Sequence, residues 1–139
     1  MTPSSRSRRA AGRCRCPQQG AAPFGTQELP IGRKPNTSWT SPDIWLRREF
    51  EWPADRSAKP LLSAHHDEDV EIYINGVLAG KAGGFSSEYE DLSMTTEGMA
   101  ALNSGKNVLA VHCHQTTGGQ YVDVGIFTET PAGNSNMER

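Results

Sequence analysis

Apolar and polar residues begin to alternate at Asp43. Ile44, Leu46, Arg48 and Phe50 interleave with Trp45, Arg47, Glu49 and Glu51, a two-residue period that predicts a strand ending at Trp52-Pro53. A polar loop follows from Pro53 to Lys59, and Leu61 to His66 reads as a second strand. Asp67-Glu68-Asp69 marks a turn or a strand distortion. Val70, Ile72 and Ile74 alternate with Glu71 and Tyr73, a third strand with one wet face. Asn75-Gly76 comes next, the preferred pair for a type I′ turn because both central residues need positive φ. Val77 to Gly80 is the return strand.

Gly83-Gly84 breaks the chain again. Phe85 to Leu92 is expected to be a strand that packs through Phe85 and Tyr89. Thr95 to Leu102 carries the one helical signal, with Thr95 or Thr96 as cap and Met99 and Leu102 three residues apart. After the turn at 103–106, Val108, Ala110, His112 and His114 alternate with Leu109, Val111 and Cys113. A Thr-Gly loop at 116–119 leads to Tyr121–Thr128, with Val122, Val124 and Ile126 on one face. Residues 21–42 are rich in Pro, Gly, Asn, Thr and Ser and read as irregular, with Trp39 as an anchor. Short strands, frequent turns and almost no helix predict an all-β antiparallel sandwich or jelly roll. The domain is expected over 21–130, between a basic tail or linker at 1–20 and a second tail at 131–139.

Composition narrows the function. The 139 residues allow one modest core. No apolar run approaches the roughly 20 residues that cross a bilayer, and no export signal is readable. Five of the fourteen Lys and Arg residues are arginines within 1–20, where there is no acid, so the remaining nine face sixteen acids. An acidic domain gives no electrostatic reason to bind nucleic acid or a membrane, and the basic arm reads as solvated. Cys14 and Cys16 lack metal-knuckle spacing, and Cys113 reads as a small buried hydrophobe.

Val70-Glu71-Ile72-Tyr73-Ile74-Asn75-Gly76, a Gly-rich segment, and then Leu102-Asn103-Ser104-Gly105-Lys106-Asn107-Val108-Leu109-Ala110-Val111 together resemble the sugar-binding domain of glycoside hydrolase family 2. That domain is a galactose-binding-like jelly roll. Ala22-Pro23-Phe24-Gly25-Thr26, Ile44-Trp45-Leu46-Arg47-Arg48, His65-His66-Asp67-Glu68-Asp69 and His112 through Gly125 resemble a subgroup of such modules. In that subgroup they are appended to larger bacterial, secreted or periplasmic proteins that are carbohydrate-active or uncharacterised. The resemblance covers about 21–128. It implies an accessory module with neighbouring domains. The family's catalytic carboxylates lie on a separate barrel of about 250 residues, which this chain cannot contain.

Candidate chemistry starts with the histidines. His112 and His114, at i and i+2, share one face of a strand and can chelate a metal with His65 or His66. They resemble the His-x-His of cupins but lack its following Glu. The competing reading has them hydrogen-bonding across strands and fixing the next loop. Asp67 and Asp69, with Glu68, offer hard oxygens to a structural calcium, or form a solvated turn that pairs with Arg47 or Arg48. Glu68, Glu71, Glu88, Glu90 and Asp123 provide carboxylates, but no spacing singles out a hydrolytic pair. No nucleophile elbow or phosphate loop is present. For stacking on sugar rings, Trp39 and Tyr121 lie beside loops, and Gln115 and Gln120 can read hydroxyls. With His112 and His114 these form the expected ligand site. Trp45 and Tyr73 read as core or interdomain packing.

Three functions follow from these readings. The first is a non-catalytic carbohydrate-binding module, with no cofactor beyond a structural calcium. The second is a purely structural module that packs on a neighbouring domain. The third is a small metal-dependent jelly-roll enzyme.

Overall fold

A computed structural model describes residues 18–26, 34–55, 57 and 59–129, together with the backbone of 137–138. Most of the expected basic tail and most of the second tail lie outside these residues. Among the described residues, ten strands form two sheets, accompanied by one helix. The first sheet has the order β2-β1-β9-β4-β7, from Thr37–Ser38, Phe24–Gly25, Tyr121–Glu129, Lys59–Asp67 and Glu90–Ser93. A tenth strand, β10 (Met137–Glu138), also pairs with β9, so two residues of the expected second tail belong to this sheet. The second sheet is fully antiparallel in the order β3-β8-β5-β6, from Asp43–Trp52, Gly105–His114, Asp69–Ile74 and Val77–Ala82. The protein is an all-β sandwich.

The alternation explains the packing. Val70, Ile72 and Ile74 of β5 and Leu109, Val111 and Cys113 of β8 point inward. They meet Leu62 and Ala64 of β4 and Val122 and Ile126 of β9. Fully burying side chains of this size contributes roughly 1.5–3 kcal/mol each. Glu68 is the single residue between β4 and β5, so 67–69 form the corner where the chain crosses from one sheet to the other.

Asn75 and Gly76 have φ of 49° and 82°, as the type I′ turn requires. Ala79 is the extra residue of a bulge opposite Ile72 and Tyr73. Helix α1 (Thr96–Ala101) docks on that bulge. Thr95 caps the helix by accepting from Gly98 N (2.9 Å), and its hydroxyl donates to Leu78 O (2.7 Å). A Cβ at Gly98 would stand 2.6 Å from Ala79, so glycine permits the contact. Gly98 is buried and Met99 is 41% exposed, so the helix packs through its glycine rather than its methionine.

The two motif asparagines bond to each other. Asn75 Nδ2 donates to Asn107 Oδ1 (2.8 Å), and Asn75 Oδ1 accepts from Val108 N (2.8 Å). Asn107 is buried and also ties down Asn103 and Gly105. Two further elements depart from expectation: the stretch read as irregular carries the short strands β1 and β2, and β7 begins at Glu90, not Phe85. Phe85 makes only an isolated bridge to Asp67 and is 72% exposed.

Candidate functional site

The outward face of β3-β8-β5 carries an ordered set of side chains. Because Ile44, Leu46 and Phe50 point into the sandwich, Trp45 and Arg47 point out. Strand register aligns Trp45 with His112 and His112 with Glu71, and the next row aligns Asp43, His114 and Asp69. Ala110, small and between Arg47 and Tyr73 in register, leaves room for the indole and the phenol to approach. Trp45 stacks on His112 with centroids 4.3 Å apart and planes 11° from parallel, and Tyr73 lies 6.2 Å away. The indole is nonetheless 65% exposed. β3 is an edge strand, so His112 covers the side of the indole turned toward the sheet.

Two carboxylates hold the histidine. His112 Nε2 lies 2.9 Å from Asp43 Oδ1, and its Nδ1 lies 3.3 Å from Glu71 Oε2. Only the imidazolium donates to both at once. His114 Nδ1 lies 2.8 Å from the same Asp43 oxygen, and the Tyr73 hydroxyl donates to Glu71 Oε2 (2.9 Å). Hydrogen bonds from His114 and then His112 hold the Asp43 carboxyl below its ordinary range. The Tyr73 hydroxyl and then His112 do the same for Glu71, and the bond to Glu71 pushes the Tyr73 phenol up.

Past the edge lies an open cleft of about 1260 Å³. It forms where β1 pairs with β9 only at Tyr121–Val122 and β10 only at Ile126–Phe127, leaving the stretch around Asp123 without a strand neighbour on that side among the described residues. Trp45, Arg47 and Arg48 of β3 line one wall; Phe24, Asn36 and Asp123 are among those lining the other. No family model matches the chain, and no curated protein does. Among solved structures, a PA14 sugar-binding domain from an RTX adhesin is similar at 14% identity and a TM-score of 0.40, over 77% of this chain and 55% of that one. The chain thus spans little more than half the length of that structure.

The structure divides the expected ligand residues. His112 and His114 stand together on the outer face. Trp39 is 5% exposed in the core and Tyr121 is 1% exposed beneath His65, so neither presents a ring face. Gln120 is buried, with its amide donating to Ser41 O (2.5 Å), and Gln115 donates to Thr117 O (2.6 Å). Both act as loop ties. For Trp45 the exposure removes the core half of the packing reading and leaves the interdomain half open, and its place in the alternation already put it outside.

The expected metal sets separate. His65 and His66 sit on β4 of the first sheet, away from the outward face of β8. His66 is buried, bonded to Glu90 Oε1 (2.8 Å) and to the Glu68 carbonyl. Asp67 and Asp69 end strands of different sheets. The Asp69 carboxylate accepts from Gly84 N (2.7 Å), while Asp67 is pushed up by burial and by the neighbouring Glu68 charge. Among the described residues no three His, Cys, Asp or Glu side chains form a metal-binding group. Burial pushes the Cys113 thiol up to about 12, which leaves it inert as a nucleophile.

Proposed function

We propose that this chain is a non-catalytic carbohydrate-binding module whose ligand stacks on Trp45. The observation that carries the reading is a mostly exposed indole, braced face to face by His112 and among the residues that line an open cleft. Apolar C–H faces of sugar rings pack on such a surface, and nearby polar groups read the hydroxyls. The cleft exceeds the roughly 300–1,000 Å³ of a typical small-molecule pocket, which suits several linked rings rather than one. The motif resemblance supports a role beside the other domains of a larger secreted or periplasmic glycoside-hydrolase-like protein.

Affinity electrophoresis of the whole chain through gels containing plant, algal, fungal or animal polysaccharides tests this. Retardation in at least one gel is expected. Migration unchanged in all of them would overturn the reading and leave Trp45 as a docking residue for a neighbouring domain.

A further inference from the structure

We infer that the cleft beside Trp45 takes an acidic polysaccharide, one whose rings carry carboxylates. This rests on the proposal that the chain binds sugar, and adds the class of sugar. The support is the basic character of the described cleft lining in an otherwise acidic domain. Outside residues 1–20 the chain holds nine Lys and Arg against sixteen acids. Among the described residues, the cleft lining includes the cations Lys34, Arg47 and Arg48 and the acid Asp123. That acid is 4% exposed, and its carboxylate accepts from the Tyr89 hydroxyl. Lys34, Arg47 and Arg48 are all exposed.

The placement suits a uronate. Trp45 and Arg47, two residues apart on one strand, both point outward and both line the cleft. A ring stacked on the free side of the indole would bring a carboxylate at its C5 position within reach of a guanidinium. Guanidinium and carboxylate form paired, charge-assisted hydrogen bonds that a neutral hydroxymethyl group cannot reproduce. The acidic remainder of the domain repels polyanions in general, which confines attraction to the cleft.

The test compares polygalacturonate, alginate and hyaluronan, each with its carboxyl-reduced neutral counterpart, by titration calorimetry on the whole chain. For at least one pair the acidic form should bind about tenfold more tightly, the size of one charge-assisted contact. Arg47→Gln should abolish that preference while keeping the fold, and Trp45→Ala should abolish binding of both forms. The Arg47 variant separates the cleft from the five arginines of the basic arm. Equal or tighter binding of the reduced form in every pair would overturn the inference and leave the sugar-binding reading standing. So would equal binding of polyacrylate, which has charge but no ring. If no polysaccharide of either kind bound, both proposals would fall.

Discussion

The chain has two histidine pairs, and the fold treats them in opposite ways. His65 and His66 lie on β4, 2% and 1% exposed, one on each face of a strand that is covered on both sides. His112 and His114 stand on the outward face of β8, with their rings against Asp43 and the indole of Trp45 within stacking distance. A histidine–carboxylate pair occurs at both places, His66 with Glu90 and His112 with Asp43. What differs is the neighbour. His66 joins two strands and a corner, whereas His112 supports an aromatic face that reaches solvent. The first arrangement serves the fold, and the second makes a surface on which something can rest.

That contrast can be broken at several points. The largest effect is expected inside. Asn107→Ala removes the buried hub of the two motif segments and should cost about 3 kcal/mol by urea unfolding. His66→Ala, which opens a cavity and strips Glu90 of its partner, should cost about 2 kcal/mol, with no effect on sugar binding beyond that due to unfolding. An equal loss of affinity in the folded fraction would erase the distinction between the pairs.

The outer pair should behave in reverse. His112→Ala removes the brace from the indole, so affinity should fall several-fold while the unfolding midpoint barely moves. The Asp43 carboxyl should then titrate at higher pH, observable by NMR, because a hydrogen bond that favours its charged form is gone.

A smaller effect follows from pH. Asp43 and Glu71 both titrate lower in the folded protein than their ordinary values of 3.8 and 4.5. Their stabilisation is therefore complete above that range and declines as pH falls through the lowered folded values. Asp43→Asn should flatten this part of the stability profile between about pH 5 and pH 2. An unchanged acid limb would show that the outer network does not differ between folded and unfolded chains.

Much of this was legible in the sequence. Seven segments of alternating or apolar residues predicted the seven long strands, with β7 displaced, and Asn75-Gly76 predicted its turn. The motif asparagines were legible as a resemblance, and their bond to each other gives the motif a structural meaning. The exposure of the aromatics was not legible. Trp39 and Tyr121 sit beside loops, but whether a loop covers a ring depends on tertiary packing that local pattern does not contain. Trp45 was placed outside by the same alternation that put Ile44 and Leu46 inside, yet its residue type suggests a core. The cleft depends on where β1 and β10 stop along β9, which no local signal encodes.

The most direct measurement compares Trp45→Ala with the wild-type chain on whichever polysaccharide retards the latter, alongside thermal unfolding of both. An indole that is 65% exposed supports little of the fold, so its removal should change stability by no more than about 0.5 kcal/mol. The account predicts that retardation is lost while unfolding is unchanged. Retardation that persists in a folded Trp45→Ala chain would contradict it.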